Sequence, residues 1–205
     1  MAQTTKPIEV ITEEEEVLIL TEWTSKANSL EKQCLQIRNS TMFLLMLHAG
    51  LRVGEIVKLK FADLWSMSGP VSTLIILPDI TKTKTGRQIP LRINIQSNLQ
   101  LMYDEIWYYV NHYPGIYAFY GNDMLKHLTV RQVERIIKAV SYTAIGREIH
   151  PHVLRHTFAT RLMRTSNIRI VQTLLGHKSI SSTQVYTHPN GQDLRKAIES
   201  LDPKI

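Results

Sequence analysis

Apolar and polar positions along the chain follow two periods, one near 3.6 residues and one near 2, and their distribution separates helical from strand segments. Residues 12 to 27 open with Thr12 and the acidic run Glu13 to Glu16, a capping residue followed by carboxylates suited to the positive end of a helix dipole. We expect a helix there, with Val17, Leu18, Leu20 and Trp23 as its buried stripe and the glutamates solvated. A second helix is expected over about 32 to 48, where Ile37, Met42, Phe43, Leu45, Met46 and Leu47 are dense enough for burial on every side; Gly50 ends it. A third runs from about Val53 to Leu59 and stops near Asp63. The pattern then turns β-like over Val71 to Leu77 and again over Arg87 to Leu91, with the Thr81 to Gly86 stretch as the turn between two strands, the only sheet the pattern shows. Further helices are expected at about 95 to 110, 129 to 144, 152 to 165, 168 to 176 and 180 to 187, with a last short one at 191 to 201 and a loop over 111 to 127. The expected fold class is mainly α with a small antiparallel β-sheet.

Composition narrows the class. A chain of 205 residues, 43% hydrophobic and 20% charged, supports one well-buried domain and has no long stretch poor in apolar residues. The longest apolar run, around Thr41 to Leu47, falls far short of the ~20 residues that span a bilayer, so we expect no membrane association. Cys34 is the only cysteine; it can form no internal disulfide, and a thiolate zinc site is excluded. A reducing, cytoplasmic location is the expectation. The net charge of +6 conceals an asymmetry: residues 1 to 31 carry seven acids against two bases, and residues 32 to 205 carry eleven acids against twenty-two bases. A body with a net charge of +11 attracts polyanions, nucleic acid above all.

Four stretches carry candidate chemistry: Ala49 to Glu55, the lysine turn at Lys82, His152 to His156, and Leu174 to His177 followed by Tyr186. Arg52 and Arg155 are planar forks of donors suited to two oxygens of one phosphate, and His152 at three residues before Arg155 shares its helix face. Gly50 and Gly176 each allow a tight turn that aims the next side chains at a ligand. Singly, each feature has an ordinary reading. Arg52 has an ion-pair partner in Glu55 at i+3, an apolar helix often holds a hydrogen-bonded core histidine, and a lysine between threonines is commonly a solvated turn. The conjunction and its order carry the case.

"HAGLRVGEIVKLKFADL" resembles the first arginine box of the tyrosine recombinases, the phage-integrase family of site-specific recombinases, and "HPHVLRHTFATRLM…IRIVQTLLGHKSISSTQVYTH" resembles the second. The similarity runs from about Ile11 to Leu201 and is strongest over 150 to 188. It implies the tyrosine recombinase catalytic-domain fold and a pocket of Arg52, Lys82, His152, Arg155 and His177, with Glu55 as a supporting acid and Tyr186 as nucleophile. It further implies attack on a DNA phosphodiester, with Arg52, Arg155 and His177 stabilising the added charge, His152 or the arginine field assisting deprotonation of Tyr186, and Lys82 protonating the departing 5′ oxygen. A 3′-phosphotyrosyl link would follow, without metal, ATP or other cofactor. Lys84 competes with Lys82, since in an extended backbone both point to the same side; the spacing back from Ile89-Pro90-Leu91 favours Lys82.

The implied partners are double-stranded DNA carrying specific recombination sites, a homo-tetramer on DNA from monomers free in solution, and accessory proteins that bend DNA; nucleoid association would follow. Most members carry an additional N-terminal helical domain, whereas this match begins almost at once. We therefore expect a single catalytic domain over 1 to 205, either a short form similar to fimbrial phase-variation invertases or an excised domain. Competing readings are a non-cleaving DNA-binding regulator on the same fold and relaxation of DNA like a type IB topoisomerase. A zinc hydrolase built on His152 and His156 is disfavoured, because Val153 stands where a general base would and Arg155 lies between the histidines.

Overall fold

The computed structural model describes residues 9–25, 27–82, 84–110, 115–179 and 181–184. Helix α1 (Glu13–Thr24) begins with the reciprocal cap the sequence suggests: Glu15 N donates to Thr12 Oγ1 at 3.1 Å and Thr12 N to the Glu15 carboxylate at 2.9 Å. Its inward face differs from the expected stripe. Val17 and Leu18 are exposed, and Glu16, Ile19, Leu20 and Trp23, spaced three and four apart, turn inward instead. The glutamates are therefore not all solvated, because basic groups on neighbouring segments need partners: Glu15 takes Arg147, just past the helix Val130–Ile145, at 2.9 Å, while Glu16 takes His48 at 2.7 Å and Arg161 at 2.5 Å.

Helix α2 (Leu30–His48) is the central element, packed against α1, and every residue from Thr41 to Leu47 is buried. Gly50, at φ +64°, turns the chain into the short helix α3 (Val53–Ile56), and α4 (Phe61–Leu64) follows. A two-residue ladder then pairs β1 (Trp65–Ser66) with β2 (Gly69–Pro70). The hydrophobic pattern missed it, since two-residue strands are too short to alternate. The expected sheet is present as β3 (Thr73–Ile76) antiparallel to β4 (Arg87–Pro90), with Leu74 opposite Ile89 and Ile76 opposite Arg87. Alternate positions face the core, so Leu74, Ile76, Ile89 and Arg87 are all buried.

The segment expected as one helix over 95 to 110 divides into α5 (Ile93–Met102), a π turn at Tyr103–Trp107 and a 3₁₀ turn at Tyr108–Val110. The widened turn seats Trp107, fully buried edge-on against Phe61, with its Nε1 donating to Ala118 O at 3.3 Å. Helix α6 (Val130–Ile145) is capped by Thr129 with Gln132 and ends at Gly146 in the left-handed region. Helix α7 (Pro151–Met163) has Pro at its first turn, α8 (Ile168–Leu175) ends at Gly176 with φ +65°, and α9 (Ser181–Gln184) is the last described element. Helices α1, α5 and α7 surround α2, its C-terminal end leads into α3, and Arg155 in the middle of α7 bonds both Gly50, just past α2, and Leu175 at the end of α8. The expected helix over 191 to 201 lies outside the described residues. Among the described residues no helix is long and apolar enough to cross a membrane.

Candidate active site

The C-terminal ends of α2 and α8 converge on Arg155. Its guanidinium is buried and donates to Gly50 O and, at 2.7 Å, to Leu175 O, the carbonyls that follow or close those two helices. Helix C-terminal carbonyls have no partner within the helix and carry its negative dipole end, which suits a cation. Sequence reading had Arg155 as a phosphate fork alone; in the fold it is also the cap of two helices. The same guanidinium reaches His177 Nε2 at 3.3 Å, and the ring's other nitrogen, Nδ1, lies 2.9 Å from Thr183 Oγ1. Since an arginine can only donate, Nε2 accepts, Nδ1 carries the proton and donates to Thr183, and the ring is neutral. Burial first, then Arg155, Arg52, Arg87 and His156, push the His177 pKa down to about 4.

Arg52 caps α3 and Glu55 closes its first turn. The Glu55 carboxylate accepts from Arg52 N at 2.8 Å and Arg52 Nη1 at 3.1 Å, and from the two Nη of Arg87 at 2.9 and 2.7 Å. Four donors saturate it. Although burial alone would raise its pKa, the Arg87 fork and the other partners outweigh that and hold it below the ordinary carboxylate range. An ionised, fully occupied carboxylate orients its neighbours and has no lone pair left to act as a base. Arg87 also donates from Nε to Leu174 O at 2.8 Å, and a β-carbon on Gly176 would fall 3.2 Å from its Cδ. Side-chain exposure is 2% for both Arg87 and Glu55, and 20% for Arg52. Of the pair on Glu55, Arg52 is thus the arginine open to a ligand.

Arg87 is the site residue the sequence reading overlooked. The signal was available: Arg87, Ile89 and Leu91 alternate in step with the buried face of β4, and an arginine in that register must bring a buried partner. Thr183, which fixes the His177 tautomer, left no comparable signal.

His152 is exposed at the start of α7, its ring stacked on His150 at 5.5 Å and 6.4 Å from the His156 ring. Partial burial, then His150 and Arg155, hold His152 below the ordinary histidine range, with Glu134 opposing; His150 in turn lies 3.4 Å from Glu134 on α6. Burial also lowers His156, followed by His152 and Arg155. Lys82 and Lys84 are both exposed on a turn whose base is fixed by buried Thr81, which accepts from Thr85 N at 3.1 Å. Lys84 has φ +53°, so the extended backbone assumed in comparing the two lysines does not hold there. The structure thus brings Arg52, Glu55, Arg155 and His177 into one cluster with His152 beside it, and places Lys82 on a solvent-exposed turn. Tyr186 lies outside the described residues. Among those residues, no group of three or more His, Cys, Asp or Glu could hold a metal ion.

The family model for the phage integrase family matches residues 9–193. The chain belongs to the phage integrase family. Among curated relatives of this integrase-family chain, tyrosine recombinase XerD of Rickettsia prowazekii is 32% identical over 192 residues, covering 90% of this chain and 60% of the relative. Tyrosine recombinase XerC of Proteus mirabilis is 33% identical over 175 residues, covering 84% and 54%. The chain therefore spans a little over half the length of these relatives. Among solved structures, XerA recombinase superposes with a TM-score of 0.73 at 26% identity, over 96% of this chain and 66% of that one. XerH recombinase, bound to its difH substrate, shares the fold with a TM-score of 0.71 at 22% identity, over 97% and 55%.

Proposed function

We propose that this chain is the catalytic domain of a site-specific DNA recombinase that cuts and rejoins strands through a tyrosine link. The observation that carries the reading is the cage of Arg52, Arg155 and His177 around a saturated Glu55. With Arg87, which Glu55 also holds, three guanidiniums against one carboxylate and a neutral His177 leave a net charge of +2. A phosphodiester brings one negative charge and gains a second as a nucleophile adds. The cage therefore matches the transition state better than the ground state, which is the condition for lowering a barrier. Its donors are fixed by helix ends and ion pairs before substrate arrives, so little reorganisation accompanies the charge.

In the proposed sequence the Tyr186 oxygen attacks the phosphorus, Arg52 and Arg155 each hold a non-bridging oxygen, and His152 takes the phenolic proton. Once Arg155 turns to the phosphate, His177 takes a proton from solvent at Nε2 and donates it to a non-bridging oxygen. Lys82, on its exposed turn, delivers a proton to the leaving 5′ oxygen, giving a 3′-phosphotyrosyl bond and a 5′ hydroxyl. The reverse steps rejoin strands with no external energy source. Neither metal nor cofactor has a step in this scheme.

Double-stranded DNA as partner is supported by the basic body and by the cationic side chains Arg131, Arg135 and Lys138 on α6, the helix whose Glu134 meets His150 beside the cage. Assembly as a tetramer on paired sites, help from DNA-bending proteins and a nucleoid-associated, cytoplasmic location complete the reading. The test is a suicide substrate, nicked near the scissile phosphate, run on denaturing gels. The native chain should form a covalent adduct and Tyr186→Phe should bind the same DNA without forming one. An adduct from the Phe variant would remove Tyr186 as the nucleophile.

A further inference from the structure

Arg87 turns its Nη pair and its Nε onto the protein, and these donors reach separate parts of the site. Its forked Nη pair holds Glu55, which in turn holds Arg52 by both backbone and side chain. Its Nε holds Leu174 O, next to the Leu175 carbonyl that anchors Arg155 and three residues before His177. Its own backbone opens β4 immediately after the turn that carries Lys82. Its side chain thus bonds the Arg52 segment and the end of α8 that leads to His177, while its backbone continues the lysine turn. Gly176 makes room for it: a β-carbon there would sit 3.2 Å from the Arg87 stem.

We propose that Arg87 is a positioning residue for the cleavage reaction, acting through Glu55 on Arg52. The claim rests on the functional reading above and adds a residue to it. A bidentate fork sets both the direction and the distance of a carboxylate, whereas a lysine supplies charge at one point only. Arg87→Lys therefore keeps the charge balance of the buried pair while releasing the orientation of Glu55, and with it the aim of the Arg52 guanidinium. A misplacement of about 1 Å in such a group costs on the order of 10²-fold in rate. DNA affinity, set by many phosphate contacts over a wide surface, should scarcely change.

The experiment uses the full chain. For Arg87→Lys we expect an unchanged far-ultraviolet spectrum, a dissociation constant for duplex DNA within about threefold of the parent, and single-turnover adduct formation slowed by about tenfold or more. The loss should persist with a 5′-bridging phosphorothiolate substrate, because a sulfur leaving group bypasses the lysine turn and leaves the Arg52 defect in place. In an Arg52→Ala background, Arg87→Lys should add less than about a threefold further loss, since the residue through which it acts is gone. Equal rates for parent and Arg87→Lys, full rescue by sulfur, or multiplicative losses in the double variant would each overturn the proposal. If Arg87→Lys does not fold, Arg87→Met combined with Glu55→Gln removes the buried charge pair as a unit, and the same kinetic outcomes apply to it. A parent chain that binds DNA and forms no adduct would count against the functional reading alone. The Glu55 carboxyl titration, followed by carbon-13 resonances without DNA, then decides: it moves upward in Arg87→Lys if the fork holds Glu55, and an unmoved titration sinks the claim.

Discussion

Replacing Gly50 by alanine perturbs the site through backbone and packing at once, and the two contributions can be separated. Gly50 has φ +64°, where an L side chain costs roughly 1–2 kcal/mol, partly offset by the ~0.4–1 kcal/mol that alanine gains from a stiffer unfolded chain. The added β-carbon would also fall 2.4 Å from Phe158 Cδ1 and 2.6 Å from Cε1. Phe158 is packed on Ala159, Val171 and Leu175, so the ring cannot retreat into that cluster. It does line a cavity of about 220 Å³ beside Leu47 and Leu162, and a swing toward that space keeps the overpacking cost at the lower end of about 1–3 kcal/mol. Gly50→Ala should therefore destabilise the chain by about 2 kcal/mol. In a Phe158→Leu background only the backbone part remains, about 1 kcal/mol. Urea unfolding at equal slope measures both costs. Because Gly50 O is a buried acceptor of Arg155, the alanine variant should also cleave more slowly at temperatures where it is fully folded. A cost below about 1 kcal/mol in the native background, or the same cost with and without Phe158, would refute the reasoning.

Two further outcomes are expected. His177, held down to about 4 in the fold against an ordinary value near 6.5, stays neutral while the unfolded chain takes up its proton, so its contribution to stability is intact above pH 6.5 and lost as pH falls toward 4. Comparing the parent with His177→Asn across that window should show the parent losing about 1–2 kcal/mol more, after allowance for solvent screening of a half-buried ring; parallel curves would deny the shift. Lys82→Ala should be slow on ordinary DNA and restored by a 5′-bridging phosphorothiolate; restoration of Lys84→Ala instead would move the general acid two residues along.

Much of the fold was legible because the elements that matter are periodic and capped. The stretch around 32 to 48 shows its helix through the density of its apolar residues, and Thr12 and Gly176 mark helix ends with residues that have a physical reason to be there, as Thr129 and Gly146 do for α6 in the fold. Departures occur where burial is decided by what lies opposite. Val17 and Leu18 are exposed because Arg147, Arg161 and His48 draw Glu15 and Glu16 to the inner side of α1. The π turn at 103 to 107 is set by the seat of Trp107, which hydropathy along one helix cannot report. At the site, Arg52, Glu55, Arg155 and His177 were named from motif order and the fold brings them together. Arg87 was overlooked because its charge conceals an inward position that alternation alone would have assigned.

The location of the arginines explains how so much positive charge stays together in the free protein. Arg52, Arg87 and Arg155 repel one another, and a single carboxylate offsets only part of that. The remainder falls on backbone: Arg155 on the Gly50 carbonyl just past α2 and on the carbonyl closing α8, and Arg87 on the carbonyl of Leu174 in the last turn of α8. His177 adds an acceptor by staying neutral, and so occupies Arg155 without competing for a proton. On the proposed function, an entering phosphate would replace that weak acceptor with a charged oxygen and relieve the repulsion among the arginines. It would also offset the cationic neighbours that push the histidine's pKa down. The ring that holds Arg155 in the free protein would then take up a proton at Nε2 and donate it to the phosphate, so that substrate binding prepares the last member of the cage.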